Sequence, residues 1–285
     1  MPDRETCRCS LGAYVNGLEN LESFQELIGQ KLAVVLFYVH WGEPFPLADV
    51  QKIAANGSVP LLTWELWVRE GLDDLLSGKY DIYIRDFLGQ AKDCGQQILL
   101  RPMHEMNGNW YPWDGWHNGQ GSEAAAKYKK AWLFIYSVRE GLKAGNVKLV
   151  WSPNHEDLPA VDWNKMANYY PGDQYVDWVG LDGYNWGHGK WESFERIFDC
   201  AYRILSSLSS KPMMIGEFGS AENGGSKAEW IKDAFERIKN SYPKVKIVCW
   251  FNINKERDWR VDSSNSALKS FRRAIKDSHF SQNLL

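Results

Sequence analysis

The amino-acid sequence predicts an α/β protein that folds as a single (β/α)8 barrel. Eight short apolar segments, rich in β-branched residues, have the composition of buried strands. Amphipathic segments with helical spacing lie between them, so consecutive strands are joined by crossovers and must pair in parallel. An open doubly wound sheet is the alternative, but neither GxGxxG nor GxxxxGK[ST] follows any of these strands.

The predicted strands are distributed along the whole chain, and each is followed by a longer segment before the next. No Pro- or Ser-rich linker divides the sequence, so residues 1–285 are predicted to form one domain. In order, the strand segments are SLGAYV (10–15), AVVLFYV (33–39), VPLLTW (59–64), QILLR (97–101), VKLVW (147–151), VDWVGLD (176–182), PMMIGEF (212–218) and VKIVCWF (245–251). Helices are predicted, among others, over 18–29, 80–95, 123–145, 191–208 and 226–242, several of them ending near glycine.

Charge and hydropathy limit the classes of partner. A net charge of -3 and a pI near 6.1 argue against nucleic acid or an anionic membrane as partner, and favour a neutral ligand. No apolar run approaches the roughly 18 residues of a membrane span, and the first residues, MPDRE, lack the order of a signal peptide. We expect a soluble monomer, secreted and freed of a leader, with a cytoplasmic location as the alternative.

The cysteines and histidines predict neither a disulfide framework nor a metal site. The five cysteines, Cys7, Cys9, Cys94, Cys200 and Cys249, are few and scattered, although a bond from Cys7 or Cys9 to a distant cysteine stays open. A zinc site of the HExxH type would need a second histidine where Gly108 stands. We therefore expect no metal and no cofactor.

Polar residues cluster where the fourth predicted strand ends. The stretch RPMHEMNGNWYPW (101–113) follows the strand and carries His104, Glu105 and Asn107. Barrels of this kind place their active sites at the C-terminal ends of the strands, and Glu217 ends the seventh strand. The fold therefore predicts that Glu105 and Glu217 converge on the barrel mouth, although either glutamate taken alone could be a cap or a surface ion pair.

Paired carboxylates near many tryptophans are typical of glycoside hydrolysis. One carboxyl group must donate a proton while the other stays ionised, and different surroundings achieve this at one pH. Several of the 15 tryptophans stand in loop-like segments such as WYPWDGW and YNWGHGKW, where an indole face can stack on a sugar ring.

These residues resemble glycoside hydrolase family 26, whose members are retaining endo-β-glycanases on (β/α)8 barrels. The resemblance rests on RPMHEMNGNWYPW and GEFG and extends over almost the whole chain. It implies that Glu105 is the general acid/base and Glu217 the nucleophile. It further implies that Tyr184 donates to the nucleophile and that Asp182 orients His104; without it, Asp182 and Tyr184 could be a cap and a packed aromatic.

The same resemblance assigns Trp110 and Trp250 to the surroundings of the cleaved sugar. Other residues follow predicted strand ends and are candidate substrate contacts, although each could instead be structural: His40, Trp64, Trp113, Asn154 and Trp186. For a retaining reaction we expect the two carboxyl groups about 5 to 5.5 Å apart, with Glu105 titrating above Glu217.

Substrate choice follows from resemblance alone. DGYNWG, EFGSAENGGSKAEWI and WFNINKERDWR look closest to the lichenase type, which cuts β-1,4 bonds in mixed-linkage β-1,3-1,4-glucan. An endo-β-1,4-mannanase is the alternative, because glucose and mannose differ only in the orientation of one hydroxyl. A non-catalytic carbohydrate-binding protein and an intracellular enzyme acting on imported oligosaccharides are further alternatives.

Overall fold

Parallel strand pairing closes the sheet into a barrel. A computed structural model describes residues 8–68 and 71–284. Within them β1 (Cys9–Tyr14) pairs with both β2 (Val34–His40) and β9 (Val245–Phe251), which joins the first and last barrel strands. Between β2 and β9 the pairing runs through β3 (Val59–Glu65), β4 (Ile98–Pro102), β5 (Val147–Trp151), β6 (Trp178–Val179), β7 (Asp182–Asn185) and β8 (Met213–Ser220). The predicted fold class is confirmed.

Two details of the sheet differ from the prediction. The sixth barrel position, predicted as one strand over 176–182, consists of two short segments, β6 and β7, both paired with β8. A further strand, β10 (Phe280–Ser281), pairs in parallel with the beginning of β1 at Cys9 and Ser10.

Helices surround the barrel in the positions that the crossovers require. They are α1 (Leu21–Ile28), α2 (Leu47–Ala55), α3 (Gly71–Leu76), α4 (Asp81–Asp93), α5 (Ser122–Gly141), α6 (Phe194–Leu208), α7 (Lys227–Ser241) and α8 (Asn265–Ile275). Serines 193, 226 and 264 cap the first turns of α6, α7 and α8, because each hydroxyl accepts a hydrogen bond from the backbone N–H three residues on. No helix of the described residues is long and apolar enough to cross a membrane.

Alternation along the strands divides the core into two layers. Leu61 and Leu99 belong to the cluster inside the barrel, whereas their neighbours Leu62 and Leu100 belong to the cluster between strands and helices. Successive side chains of a strand point to opposite faces, so odd and even positions alternate between the barrel interior and the helix layer; we call this alternation the parity of the strand. Near the C-terminal ends of the strands, only residues of inward parity can reach the opening of the barrel, its mouth.

The described cysteines form no disulfide. Cys9, Cys94, Cys200 and Cys249 are all free, and Cys9 and Cys249 are buried. Cys9 therefore forms no disulfide with any described cysteine. Cys7, the other cysteine for which a distant bond was left open, lies outside the described residues.

Candidate active site

Glu105 and Glu217 are both buried at the C-terminal end of the barrel. Glu105 lies three residues beyond β4, and Glu217 lies within β8. Burial raises the pKa of Glu105, and the negative charge of Glu217 raises it further. The two carboxylates predicted to converge therefore share one electrostatic environment.

A β-bulge turns Glu217 into the barrel. Ile215 pairs with Val248 and Phe218 pairs with Trp250, so three steps along β8 match two steps along β9. Ile215 and Phe218 both pack in the outer layer. The extra residue leaves Gly216 and Glu217 on the inner side, whereas strict alternation from Ile215 would point Glu217 at the helices.

The backbone of Glu105 adopts a left-handed conformation. Its φ is 53°, a region that costs a non-glycine residue about 1 kcal/mol or more. Two hydrogen bonds hold it there: Glu105 N–H donates to Ser152 O at 2.7 Å, and Gly108 N–H donates to Glu105 O at 2.9 Å. Such strain, fixed by its neighbours, is common where a side chain must be aimed at a reacting centre.

Both carboxylate oxygens of Glu105 accept a hydrogen bond. Asn154 Nδ2 donates to Oε1 at 2.7 Å, and Trp110 Nε1 donates to Oε2 at 3.0 Å. Burial raises the pKa of Glu105, and the charge of Glu217 raises it further. The two donors lower it only in part, and the result is a pKa of about 7. Glu105 can therefore hold a proton near neutral pH.

Glu217 has the opposite environment. Tyr38 Oη donates to Oε1 at 2.6 Å, Tyr184 Oη donates to Oε2 at 2.5 Å, and Arg101 Nη2 also donates to Oε1. Burial by itself raises the pKa of Glu217, but the charge of Arg101 and the tyrosine hydroxyls outweigh it and lower the pKa to about 2. Glu217 is thus an ionised carboxylate, and the expected order of the two titrations agrees with this electrostatic environment.

Arg101 connects Glu217 to the barrel interior. Its Nη1 donates to both oxygens of Asp182, at 2.8 and 2.9 Å, while Nε and Nη2 donate to Thr63 Oγ1 at 3.0 and 2.7 Å. Gly216 leaves room for this pair, because a Cβ there would lie 2.6 Å from Arg101 Nη1 and 2.7 Å from Asp182 Oδ1. A buried arginine shared by two carboxylates keeps its charge and stabilises theirs.

The predicted role of Asp182 is wrong in one respect. Its carboxylate contacts Arg101, and also accepts from Ser152 Oγ at 3.2 Å, rather than contacting His104. His104 Nε2 instead lies 3.2 Å from Tyr111 Oη, and its buried Nδ1 has no hydrogen-bond partner among the described residues. Burial and the charge of Arg101 lower the pKa of His104 to about 3, so the imidazole is neutral. The reason is that Arg101 Nη1 occupies both carboxylate oxygens of Asp182.

Three of the predicted sugar contacts are wrong because of strand parity and packing. Trp64 and Trp250 face the outer layer, where Trp64 stacks on Phe87 and Trp250 packs against Phe271. Trp113 is fully buried and donates from Nε1 to His104 O at 2.6 Å. These indoles support the walls of the mouth and are closed to a ligand.

Other predicted contacts do lie at the mouth. Trp110 is 37% exposed and its indole covers Gly108, while Trp186 is 40% exposed and packs against Trp259. Asn154 reaches the mouth as a partner of Glu105. His40 is exposed, with Nδ1 3.1 Å from Glu65 Oε2.

Sequence reasoning missed Arg101, Tyr38 and Trp67 as parts of the site. Tyr38 and Arg101 have the inward parity of their strands, and that parity could have indicated them. Tyr38 is 179 residues from its hydrogen-bond partner Glu217 in the sequence, and Arg101 is 116 residues from it, so no local pattern reveals these contacts. Trp67 lies two residues beyond β3 and is 47% exposed. Its ring packs edge to face with that of Tyr111, with the ring centroids 5.4 Å apart.

A (β/α)8 barrel whose mouth holds one carboxyl group that can keep a proton near neutral pH and one ionised carboxylate has the arrangement of barrel glycoside hydrolases. Comparison with known proteins gives the family. The chain belongs to glycosyl hydrolase family 26, whose profile matches residues 71–277.

Curated relatives and solved structures agree with this family. The chain is similar to Endoglucanase H of Acetivibrio thermocellus, with 39% identity over 93% of this chain and 31% of that protein. It is also similar to a mannan endo-1,4-beta-mannosidase of Bacillus subtilis strain 168, with 31% identity over 65% of this chain and 46% of that protein. A solved Bacillus subtilis mannanase has the same fold, with a TM-score of 0.73 and 20% identity over 99% of this chain and 89% of that one.

The relatives are longer than this chain. It spans about a third to a half of the length of the curated proteins named above. What those proteins act on therefore supports a proposal for this chain and no more.

Proposed function

We propose that the chain is a retaining endo-β-1,4-glycanase in which Glu105 is the acid/base and Glu217 the nucleophile. The observation that carries the proposal is the contrast between the two carboxyl groups. Burial holds the pKa of Glu105 near 7, whereas Arg101 and two tyrosine hydroxyls hold that of Glu217 near 2. Near neutral pH this gives one proton donor and one anion in the same mouth, as the reaction requires.

The reaction proceeds in two displacements. Glu217 attacks the anomeric carbon and forms a glycosyl-enzyme ester, while the proton of Glu105 moves to the oxygen of the departing sugar. Glu105, now ionised, takes a proton from water, and the resulting hydroxide displaces Glu217 from the anomeric carbon. Both steps invert that carbon, so the product retains the β configuration. A separation of about 5 to 5.5 Å between the carboxyl groups stays a prediction of this mechanism.

Neighbouring groups prepare both carboxylates for this cycle. Arg101 and Tyr38 bind Oε1 of Glu217, whereas Tyr184 is the one donor to Oε2 among the described residues, so Oε2 is the oxygen better placed to attack. Asn154 and Trp110 donate to Glu105, and both hydrogen bonds strengthen when Glu105 becomes an anion after the first step.

Mannan is the substrate that the relatives' names support most often. Three mannan endo-1,4-beta-mannosidases from two bacterial species match 57–65% of this chain at 30–36% identity. A β-glucan containing 1,4 bonds is the second candidate, because Endoglucanase H matches 93% of the chain at 39% identity. The narrower expectation, a mixed-linkage β-glucan, is supported only by the similarity to Endoglucanase H.

A polymeric substrate favours action outside the cell. We also propose that the chain acts as a monomer.

The decisive experiment measures reducing-sugar release from galactomannan, glucomannan, barley β-glucan and carboxymethyl cellulose. The wild type is compared with Glu105→Ala, Glu217→Ala and, as a control, Glu123→Ala on the exposed first turn of α5. We expect both site variants to lose activity by several orders of magnitude and the control to keep it. Preference for the mannans or for β-glucan decides between the two substrates.

Azide rescue tests the two roles separately. On an activated aryl glycoside, azide added to Glu105→Ala should release a β-glycosyl azide, because it replaces water in the second displacement. Added to Glu217→Ala it should give the α-azide, because it replaces the nucleophile. The reverse pattern would exchange the roles. Wild-type protein that binds these glycans without cleaving them would support the non-catalytic carbohydrate-binding alternative.

A further inference from the structure

A third carboxylate, Glu65, lies beside the catalytic pair without a full set of partners. It ends β3 and is only 6% exposed. Its Oε2 accepts from Trp67 Nε1 at 3.1 Å and lies 3.1 Å from His40 Nδ1. No described residue donates a hydrogen bond to its Oε1. Glu65 Oε1 is not among the fully buried side-chain atoms that lack a partner, so it is open to solvent. A carboxylate oxygen open to solvent beside an oriented indole is free to accept a hydrogen bond from a ligand.

Glu65 faces the same space as the catalytic carboxylates. It has the inward parity of Thr63, which contacts Arg101. Burial raises the pKa of the Tyr111 hydroxyl, and the negative charges of Glu105, Glu217 and Glu65 raise it further. Tyr111 is therefore within electrostatic reach of all three carboxylates, which places them near one another at the mouth of the barrel.

The register of β2 and β3 gives the height of Glu65 in the mouth. Glu65 pairs with His40, and Tyr38, two residues earlier on β2, donates to Glu217. Two residues along a strand rise about 7 Å, so Glu65 lies one layer further out than the contact with Glu217.

Trp67 completes the environment of Glu65. Its indole N–H donates to Glu65 Oε2. The ring packs edge to face with Tyr111 and Trp113, at centroid distances of 5.4 and 5.7 Å, and these contacts fix its orientation. Almost half of the residue is exposed. An oriented indole beside a carboxylate acceptor fits a sugar, which has an apolar face edged by hydroxyl donors.

We propose that Glu65 binds hydroxyl groups of the sugar unit adjacent to the cleaved one, on the side of Glu217, with Trp67 against its ring. The proposal rests on the proposed function for the direction of the chain in the cleft. It makes Glu65 a determinant of specificity, because a carboxylate that accepts from two neighbouring hydroxyls distinguishes hexoses by the orientation of those hydroxyls.

The test uses aryl β-glycosides of mannose and of glucose that carry one, two or three sugars before the aryl group. Glu65→Gln keeps the shape and the acceptor for Trp67 but removes the charge. We expect kcat/KM to fall roughly tenfold or more once the second sugar is present, chiefly through KM, and to change less than twofold with one sugar. Glu43→Gln, an exposed glutamate near His40, removes the same charge and should leave every substrate unaffected.

Two kinetic outcomes would overturn the inference. An equal loss with one, two and three sugars would mean that Glu65 acts on Glu217 and not on a distant sugar unit. No loss with any substrate would mean that Glu65 touches none of them. A thermal unfolding midpoint equal to that of the wild type confirms that the variant is folded in either case.

Binding measurements separate this inference from the proposed function. In a Glu217→Ala background, Glu65→Gln should weaken the binding of mannotriose or cellotriose roughly tenfold, measured by calorimetry. If the wild type cleaves nothing but Glu65→Gln still weakens binding, the catalytic proposal fails, and of the inference only the contact between Glu65 and a sugar remains. If the wild type is active and Glu65→Gln leaves the affinity for the trisaccharide unchanged, the inference alone is wrong. If the protein binds none of these sugars, both the inference and the proposed function are wrong.

Discussion

Arg101 and Glu217 form an ion pair at the base of the barrel mouth, with both side chains almost entirely shielded from solvent. The pair keeps Glu217 ionised, whereas no cation of the described residues is bonded to Glu105, and burial favours the protonated form of its carboxyl group. Arg101, together with the hydroxyl groups of Tyr38 and Tyr184, therefore accounts for the low pKa of Glu217.

Replacing Trp110 by Phe should move the basic limb of the pH profile. The indole N–H donates to Glu105 Oε2 and favours the anion, so its loss should raise the pKa of Glu105 above about 7. In a profile of kcat/KM against pH, we expect the descending limb to move up by roughly 1 pH unit. Replacing the half-buried Trp191, remote from Glu105 in sequence and position, should leave that limb in place. An unchanged limb in Trp110→Phe would contradict the assignment of Glu105 as acid.

Replacing Tyr38 by Phe should weaken Glu217, the proposed nucleophile. The change removes the 2.6 Å hydrogen bond to Glu217 Oε1, so the pKa of Glu217 should rise and the ascending limb of the profile should move to higher pH. We expect kcat/KM to fall by roughly one to two orders of magnitude. Tyr136→Phe on α5 is the control. Equal activity of the two variants at every pH would show that Tyr38 has no part in positioning Glu217.

Replacing Gly216 by Ala should damage both stability and activity. Its Cβ would lie well within van der Waals contact of Arg101 Nη1 and Asp182 Oδ1, so the ion pair must shift. We expect the free energy of unfolding to fall by about 1–3 kcal/mol, measured by urea denaturation, with a large loss of kcat. Gly89→Ala in the middle of α4, where a Cβ meets nothing within 4 Å, should instead stabilise by up to about 1 kcal/mol. Two variants of equal stability would contradict the close packing around Gly216.

Replacing Glu105 by Gln should change how stability depends on pH. The pKa of Glu105 is about 7 in the folded protein against 4.5 in the unfolded chain, so the folded state binds the extra proton between these values. The Glu105 contribution therefore lowers the free energy of unfolding as pH rises from about 4.5 through 7. We expect Glu105→Gln to be more stable than the wild type at pH 8, with little difference at pH 4. Urea denaturation at the two pH values measures this, and a constant difference would rule out a buried, protonated Glu105.

Much of the fold and the positions of both glutamates were predictable from the sequence. Hydrophobic periodicity is a local property, and eight strands alternating with helices leave few ways to bury their apolar faces. Once the barrel is assumed, strand ends such as those before Glu105 and around Glu217 must meet at one face. The alternation of inward and outward side chains along each strand is also readable from the sequence. Applied to Trp64 and Trp250, it predicts that both face the helices and not the mouth.

The environment of each glutamate was decided by the tertiary structure. The bulge at Gly216 that turns Glu217 inward, the link from Arg101 to Asp182, and the hydroxyl of Tyr38 all depend on contacts between strands far apart in the chain. A sequence pattern determines which groups arrive at the mouth. The pKa values of those groups depend on distances, burial and hydrogen-bond donors, which exist only after the barrel has closed.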